Sequence, residues 1–163
     1  MTPVQEELMY DGKKHLLRWH AGAQLPKSNI TQVRGYIFNQ EGKILIVESR
    51  HDHWTTIGGN PEGNEMTLET FKREVMEEGC VETKSEQAIG YIEVVTESGQ
   101  SYFQVRYAAL LKSELPFDAK FETTARKFVT PDEIHEYIPW TKKSPVFAEE
   151  IKTALATYSK IKE

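Results

Sequence analysis

The sequence predicts a single α+β domain in which a mixed β-sheet lies between helices. Three observations predict it. Two β-branched and aromatic stretches, beginning at Val33 and Lys43, flank the turn Asn39-Gln40-Glu41-Gly42. One amphipathic helix follows, and a second pair of strand-like stretches flanks Glu97-Ser98-Gly99-Gln100. Proline-led helical segments close the chain, and this order of strands, helix, strands and helices suits one layered domain.

The elements follow in chain order. Residues 1–30 are mixed in character and are read as an N-terminal extension packed on a main domain of residues 31–163. A strand is expected around His15 to His20, and Pro26, Ser28 and Asn29 mark a turn region. The extension suits an extra strand, a lid or a dimer arm. Val33 to Phe38 and Lys43 to Glu48 then predict a hairpin. Ser49 to Thr56 reads as a polar loop, and Gly58, Gly59, Pro61 and Gly63 keep the chain irregular to about Met66. Leu68 to Glu78 is the clearest helix, because Leu68, Phe71 and Val75 recur at helical spacing. Thr67 is its expected N-cap and Gly79 its expected stop. Ala88 to Thr96 and Ser101 to Lys112 predict a second hairpin, and Arg126 to Val129 a short strand. Pro131 opens a short helix, and Pro145 opens a final one reaching about Lys160. Val146, Phe147, Ile151, Ala154 and Leu155 are the expected inner face of the latter.

Composition narrows the class. The chain has 163 residues, 39% of them hydrophobic and 28% charged, with a formal charge of −5. At that length a real core forms without staples. Mild acidity speaks against a broad nucleic-acid surface. No apolar run approaches the roughly 20 residues a spanning helix needs, so no membrane role is expected. The lone Cys80 excludes an internal disulfide. Together with the lack of a signal-like N-terminus, it points to the cytoplasm.

Three glutamates carry the chemistry. Glu74, Glu77 and Glu78 stand at i, i+3 and i+4 of the expected helix, on one face. Like charges at that spacing cost an isolated helix roughly 0.2–0.5 kcal/mol per pair. A divalent cation turns that repulsion into a site, and oxygen-only donors suit Mg²⁺ or Mn²⁺ rather than zinc. The bland alternative is a solvated acidic face diluted by Lys72 and Arg73.

The flanking residues decide between them. Gly59, five residues, Glu65, seven residues, Arg73-Glu74-Val75, one residue, Glu77-Glu78 resembles the signature of the Nudix hydrolases. Every charged position matches, and Val81 fills the last apolar place. There are three departures. The signature's final glycine falls on Cys80, with Gly79 one place early. The glycine common before the first glutamate is Asn64, with Gly63 one place early. The usual proline before the paired glycines is Ile57.

The resemblance implies a Nudix fold, an α/β/α sandwich, and water attack on a diphosphate linkage in a nucleotide substrate. It implies that Glu74, Glu77 and Glu78 hold Mg²⁺ (or Mn²⁺), with the Gly58 carbonyl completing the set. Gly59, Glu65 and Arg73 become supporting residues. A further loop carboxylate is implied, best met by Glu122, with Asp118 and Glu97 behind it. The catalytic set is then Glu74, Glu78 and Glu122, and the proton acceptor stays open between Glu74 and Glu122. A homodimer is implied by the resemblance alone.

Substrate contacts are less legible. Trp54 suits either stacking on a base or core packing. Arg34 and Arg50 suit phosphate contacts, whereas His51 and His53 read as surface residues. No proline lies between Val81 and Leu115, where relatives that cleave ADP-ribose often carry one. Two other readings compete with the enzyme: a catalytically silent Nudix-fold sensor, motivated by the shifted glycines, and a generic acidic-helix interaction domain.

Overall fold

The computed structural model of the protein describes residues 2–49 and 53–163. Strands β1 (Gln5–Tyr10), β2 (Lys13–Ala21), β7 (Val81–Val95), β8 (Ser101–Glu114) and β3 (Ile30–Phe38) lie side by side in the order β1-β2-β7-β8-β3. All neighbours are antiparallel except β8 and β3, which run parallel with Arg34 beside Arg106 and Gln32 beside Gln104. The short strand β6 (Ile57–Gly59) closes the far edge against β3. A smaller antiparallel group, β9 (Thr123–Val129), β4 (Ile44–Ser49) and β5 (Trp54–Thr55), joins at the β3–β4 turn. The sheet is mixed, as the sequence predicts.

The expected hairpin of residues 33–48 needs correction. β3 and β4 share one register pair, Phe38 with Ile44, and then part. β3 then pairs with β8 and β4 with β9, and both strands alternate between the two core clusters, Tyr36, Phe38, Ile44 and Ile46 in one and Val33, Ile37, Leu45 and Val47 in the other. β7 also begins earlier than expected, at Val81 directly after the helix.

Helix α1 (Thr67–Glu74) covers one face of the sheet. Phe71 and Val75 bury against Val33, Ile37, Val105 and Tyr107, with the Phe71 and Tyr107 rings stacked at 5.3 Å. Leu68 of the expected stripe stays 37% exposed, so it lies at the rim of that contact. Thr67 is the first helical residue rather than the cap. Its hydroxyl pairs with Tyr107 Oη at 2.7 Å, and Glu69 accepts the Met66 N–H at 2.9 Å. The helix does not end as α: Val75–Gly79 forms one π-turn, closed by Cys80 in the left-handed region at φ 52°.

On the other face, α2 (Ile134–Tyr137) and α3 (Pro145–Ile161) pack on Trp19, Tyr36, Phe38, Ile92 and Leu110. Ser144 caps α3 by accepting the Phe147 N–H at 3.0 Å. Glu6 of β1 reaches the same helix end. It accepts the Ser144 hydroxyl, and the Val146 N–H at 3.2 Å. Among the described residues no helix is long and apolar enough to cross a membrane.

Candidate active site

The site lies where α1, its π-turn, β6 and the loop before β9 meet. Arg73 organises one side of it. Its Nε and Nη2 donate to both oxygens of Glu65, at 2.7 and 3.1 Å. Its Nη1 donates to Glu74 at 2.9 Å and to Glu77 at 3.2 Å, and Nη2 also reaches the Asn60 carbonyl at 3.0 Å. Glu65 further accepts the Glu62 N–H at 2.8 Å and the Thr70 hydroxyl at 3.0 Å. The Arg73 fork first, and then these donors, pull the Glu65 carboxyl down to about 2. Glu65 thus ties the loop to the helix, eight residues from its arginine. Gly63, left-handed at φ 54°, turns the loop at the residue next to the position where the signature has glycine.

Glu78 is placed differently. It accepts the Gly58 N–H at 2.9 Å. Burial pushes its carboxyl up to about 7, and the charges of Glu74 and Glu122 push the same way. The Gly58 N–H and the Arg34 guanidinium oppose them. Glu74 is raised too, first by burial, with Arg73 opposing and Glu77 and Glu122 adding. Glu74 also lies against Gly59, where a methyl group would overlap its carboxylate. Glu77 is the most open of the three, at 29% side-chain exposure against 12% for Glu74. The π-turn explains the difference, since an i→i+5 turn swings Glu77 off the stripe that strict α-geometry would give it.

Two residues of β9 that sequence reasoning misses hold this turn. The Thr123 hydroxyl donates to the Glu78 carbonyl at 2.7 Å. Arg126 Nη1 donates to the Gly79 and Cys80 carbonyls at 2.9 and 3.1 Å. These carbonyls end a helix and lack partners within it. Cys80 itself is buried, and its Sγ accepts the Asp118 N–H at 3.3 Å.

The other candidates divide. Glu122 is exposed on the loop, and its charge acts on both Glu74 and Glu78. Asp118 sits by Cys80 instead, and Glu97 accepts the Lys14 N–H at 3.0 Å in the distant β7–β8 turn. Arg34 reaches the site from β3: its Nη1 donates to Thr55 Oγ1 at 3.0 Å and to the Thr56 carbonyl. Trp54 is half-buried, edge-on to Tyr137 at 5.7 Å, and packs against the α3-side core. His53 is exposed beside Ser49, at 3.1 Å from its hydroxyl. Arg50, His51 and Asp52 lie outside the described residues.

The donor set fits a hard divalent cation: carboxylates only, with Glu74 and Glu78 raised chiefly by burial and further by their acidic neighbours. Among the described residues no three of these side chains already converge as a cage. Arg73 Nη1 lies between Glu74 and Glu77, so a cation already neutralises that pair. The buried Tyr36, Arg106 and Glu150 and the half-buried Gln32 and Gln104 are also missed. For the four on β3 and β8 the one sequence signal is a polar residue at every second place of the strand; Glu150, on α3, has none of that kind.

Comparison with known proteins agrees with this geometry. The NUDIX domain family model matches residues 29–150. A mutant form of the Bacillus subtilis pyrophosphohydrolase BsRppH superposes with a TM-score of 0.73 at 19% identity, covering 93% of this chain and 97% of that one. A NUDIX hydrolase from Nitrosomonas europaea gives 0.62 at 22% identity, covering 80% and 90%. A C. elegans Ap4A hydrolase gives 0.55 at 13%, covering 77% and 98%. No curated protein sequence matches the chain.

Proposed function

The chain belongs to the Nudix family, and from that premise we propose that it hydrolyses a phosphoanhydride bond in a nucleotide substrate with the help of Mg²⁺ or Mn²⁺. The substrate is a nucleoside triphosphate or a nucleoside diphosphate linked to a second group. The observation that carries the proposal is the gathering of Glu74 and Glu77 on one Arg73 nitrogen beside Glu78, which is itself fixed on the Gly58 N–H.

Glu74, Glu77 and Glu78 would hold the cation, with the Gly58 carbonyl beside them. When bound, the cation neutralises the diphosphate oxygens and supplies a water for in-line attack. The chain's own residues do the rest. Arg73 and Glu65 fix the helix against the loop and hold one oxygen each of Glu74 and Glu77, leaving the other to the cation. Gly59 lets the Glu74 carboxylate lie flat on the loop backbone. Arg34 places a fixed positive charge beside Glu78, where phosphoryl charge develops. Glu122 is the proton acceptor: it is exposed on the loop before β9, and its charge acts on both Glu74 and Glu78. The relatives described as pyrophosphohydrolase and Ap4A hydrolase support the reaction class.

The silent-sensor reading rested on the shifted glycines. Cys80 adopts the left-handed conformation without glycine, so the helix end keeps its shape. The test is hydrolysis of a panel: nucleoside triphosphates, nucleotide sugars, ADP-ribose and dinucleoside polyphosphates, each with Mg²⁺ or with EDTA, and with Glu78→Gln alongside. Turnover that needs metal and is lost in the variant is expected. Equal turnover by Glu78→Gln would overturn the assignment of the site.

A further inference from the structure

Beside Arg34 the sheet carries a buried network that hydrolysis leaves without a role. Arg106 of β8 is only 6% exposed. Its Nε donates to Glu150 of α3 at 3.0 Å, and the Tyr36 hydroxyl donates to the other oxygen of that carboxylate. Its Nη1 donates to Gln32 Oε1 at 3.0 Å and to the Val105 carbonyl at 3.3 Å, and its Nη2 to Gln104 Oε1 at 3.3 Å. The two glutamines are register partners on β3 and β8.

A guanidinium has donors and no acceptor. Each glutamine held by it must turn its oxygen inward and its NH₂ group outward. Both side chains are half-buried, and among the described residues neither Nε2 has a hydrogen-bond partner. The sheet thus offers two neighbouring donors and no acceptor. They stand two residues along β3 from Arg34, on the same face. Arg34 in turn pairs in register with Gly58 of β6, whose N–H is held by Glu78, so β3 leads from the glutamines to the carboxylate site. A nucleotide with its phosphates at that site would extend its base along β3 toward the glutamines.

We propose that Gln32 and Gln104 read a nucleobase edge with two adjacent acceptors, the O6/N7 edge of guanine, and that Arg106, braced by Glu150 and Tyr36, is the positioning residue that sets their polarity. The inference rests on the nucleotide reading above. Adenine offers N7 beside an amino donor, and that donor meets a donor here.

Titration calorimetry on the full chain tests it with nucleoside monophosphates, which have no phosphoanhydride bond to cut. GMP and IMP share O6 and N7 and are expected to bind within about twofold of each other. AMP and 7-deaza-GMP are expected to bind about tenfold or more weakly. Gln32→Glu and Gln104→Glu keep the pairing with Arg106 but turn an oxygen outward, so each is expected to lower the GMP-to-AMP preference at least tenfold. Thermal melts check that both fold. Equal binding of GMP and AMP by the unaltered chain, no binding of any monophosphate, or a preference that neither variant moves would each overturn the proposal. Panel hydrolysis without base preference sinks this inference and leaves the hydrolase. Base preference without hydrolysis does the reverse.

Discussion

Replacing Glu78 by glutamine should make the metal-free protein more stable at pH 8 while abolishing turnover. The carboxyl is ordinary in the unfolded chain and rises to about 7 in the fold, chiefly through burial. A raised acid stabilises the fold while protonated. That contribution is complete below about 4.5 and is lost as pH climbs through 7. The rise corresponds to roughly 3 kcal/mol, and sharing of the repulsion with Glu74 and Glu122 lowers this to about 2–3 kcal/mol. Glutamine keeps an oxygen for the Gly58 N–H and carries no charge. In EDTA at pH 8 the variant should therefore melt roughly 5–10 °C above the unaltered protein. At pH 4.5 the gap should nearly close. Excess Mg²⁺ should stabilise the unaltered protein and leave the variant almost unmoved. Chemical or thermal unfolding at the two pH values, with and without metal, measures all of this. A variant less stable than its parent at pH 8 in EDTA would refute the account of Glu78 as a buried, repelled carboxylate.

Three further outcomes follow from contacts already described. Arg73→Lys cannot reproduce the fork on Glu65, so the Mg²⁺ concentration for half-maximal turnover should rise about ten- to a hundredfold, read by metal titration of the rate. Gly59→Ala pushes a methyl into the Glu74 carboxylate. It should remove Mg²⁺-dependent stabilisation with far-UV circular dichroism unchanged, and a retained metal shift in the melt would contradict that contact. Cys80→Gly should be more stable than Cys80→Ala by about 1 kcal/mol, because both lose Sγ but only alanine retains the left-handed strain. Urea unfolding of the two variants gives the order directly.

The site is legible in the sequence where it is local. Glu74, Glu77, Glu78 and Arg73 fall within six positions of one helix, so spacing alone sets them near one another. Glu65 and Glu122 needed the resemblance as well, since neither lies on that helix. What stays hidden comes from pairings far apart in the chain. Arg106 meets Gln32 across 74 positions through the parallel pairing of β3 with β8, and Glu150 across 44 through the packing of α3 on the sheet. Thr123 and Arg126 reach the π-turn only because β4 leaves β3 and pairs with β9, a strand that lies far from it in the sequence. The N-cap expected at Thr67 moves to Met66 for a related reason: the Thr67 hydroxyl is taken by Tyr107 of a distant strand.

The contact of Glu6 with the start of α3 has a practical consequence for anyone editing this chain. Glu6 sits on the outermost strand, yet it caps the helix that carries Glu150, and Glu150 anchors Arg106. Cutting away residues 1–12 would look harmless, as the removal of a peripheral ribbon. It would also uncap α3 and loosen the brace beneath the two glutamines. A shortened version is therefore expected to lose stability together with its choice among nucleotides, so fusions and trims are best screened by both.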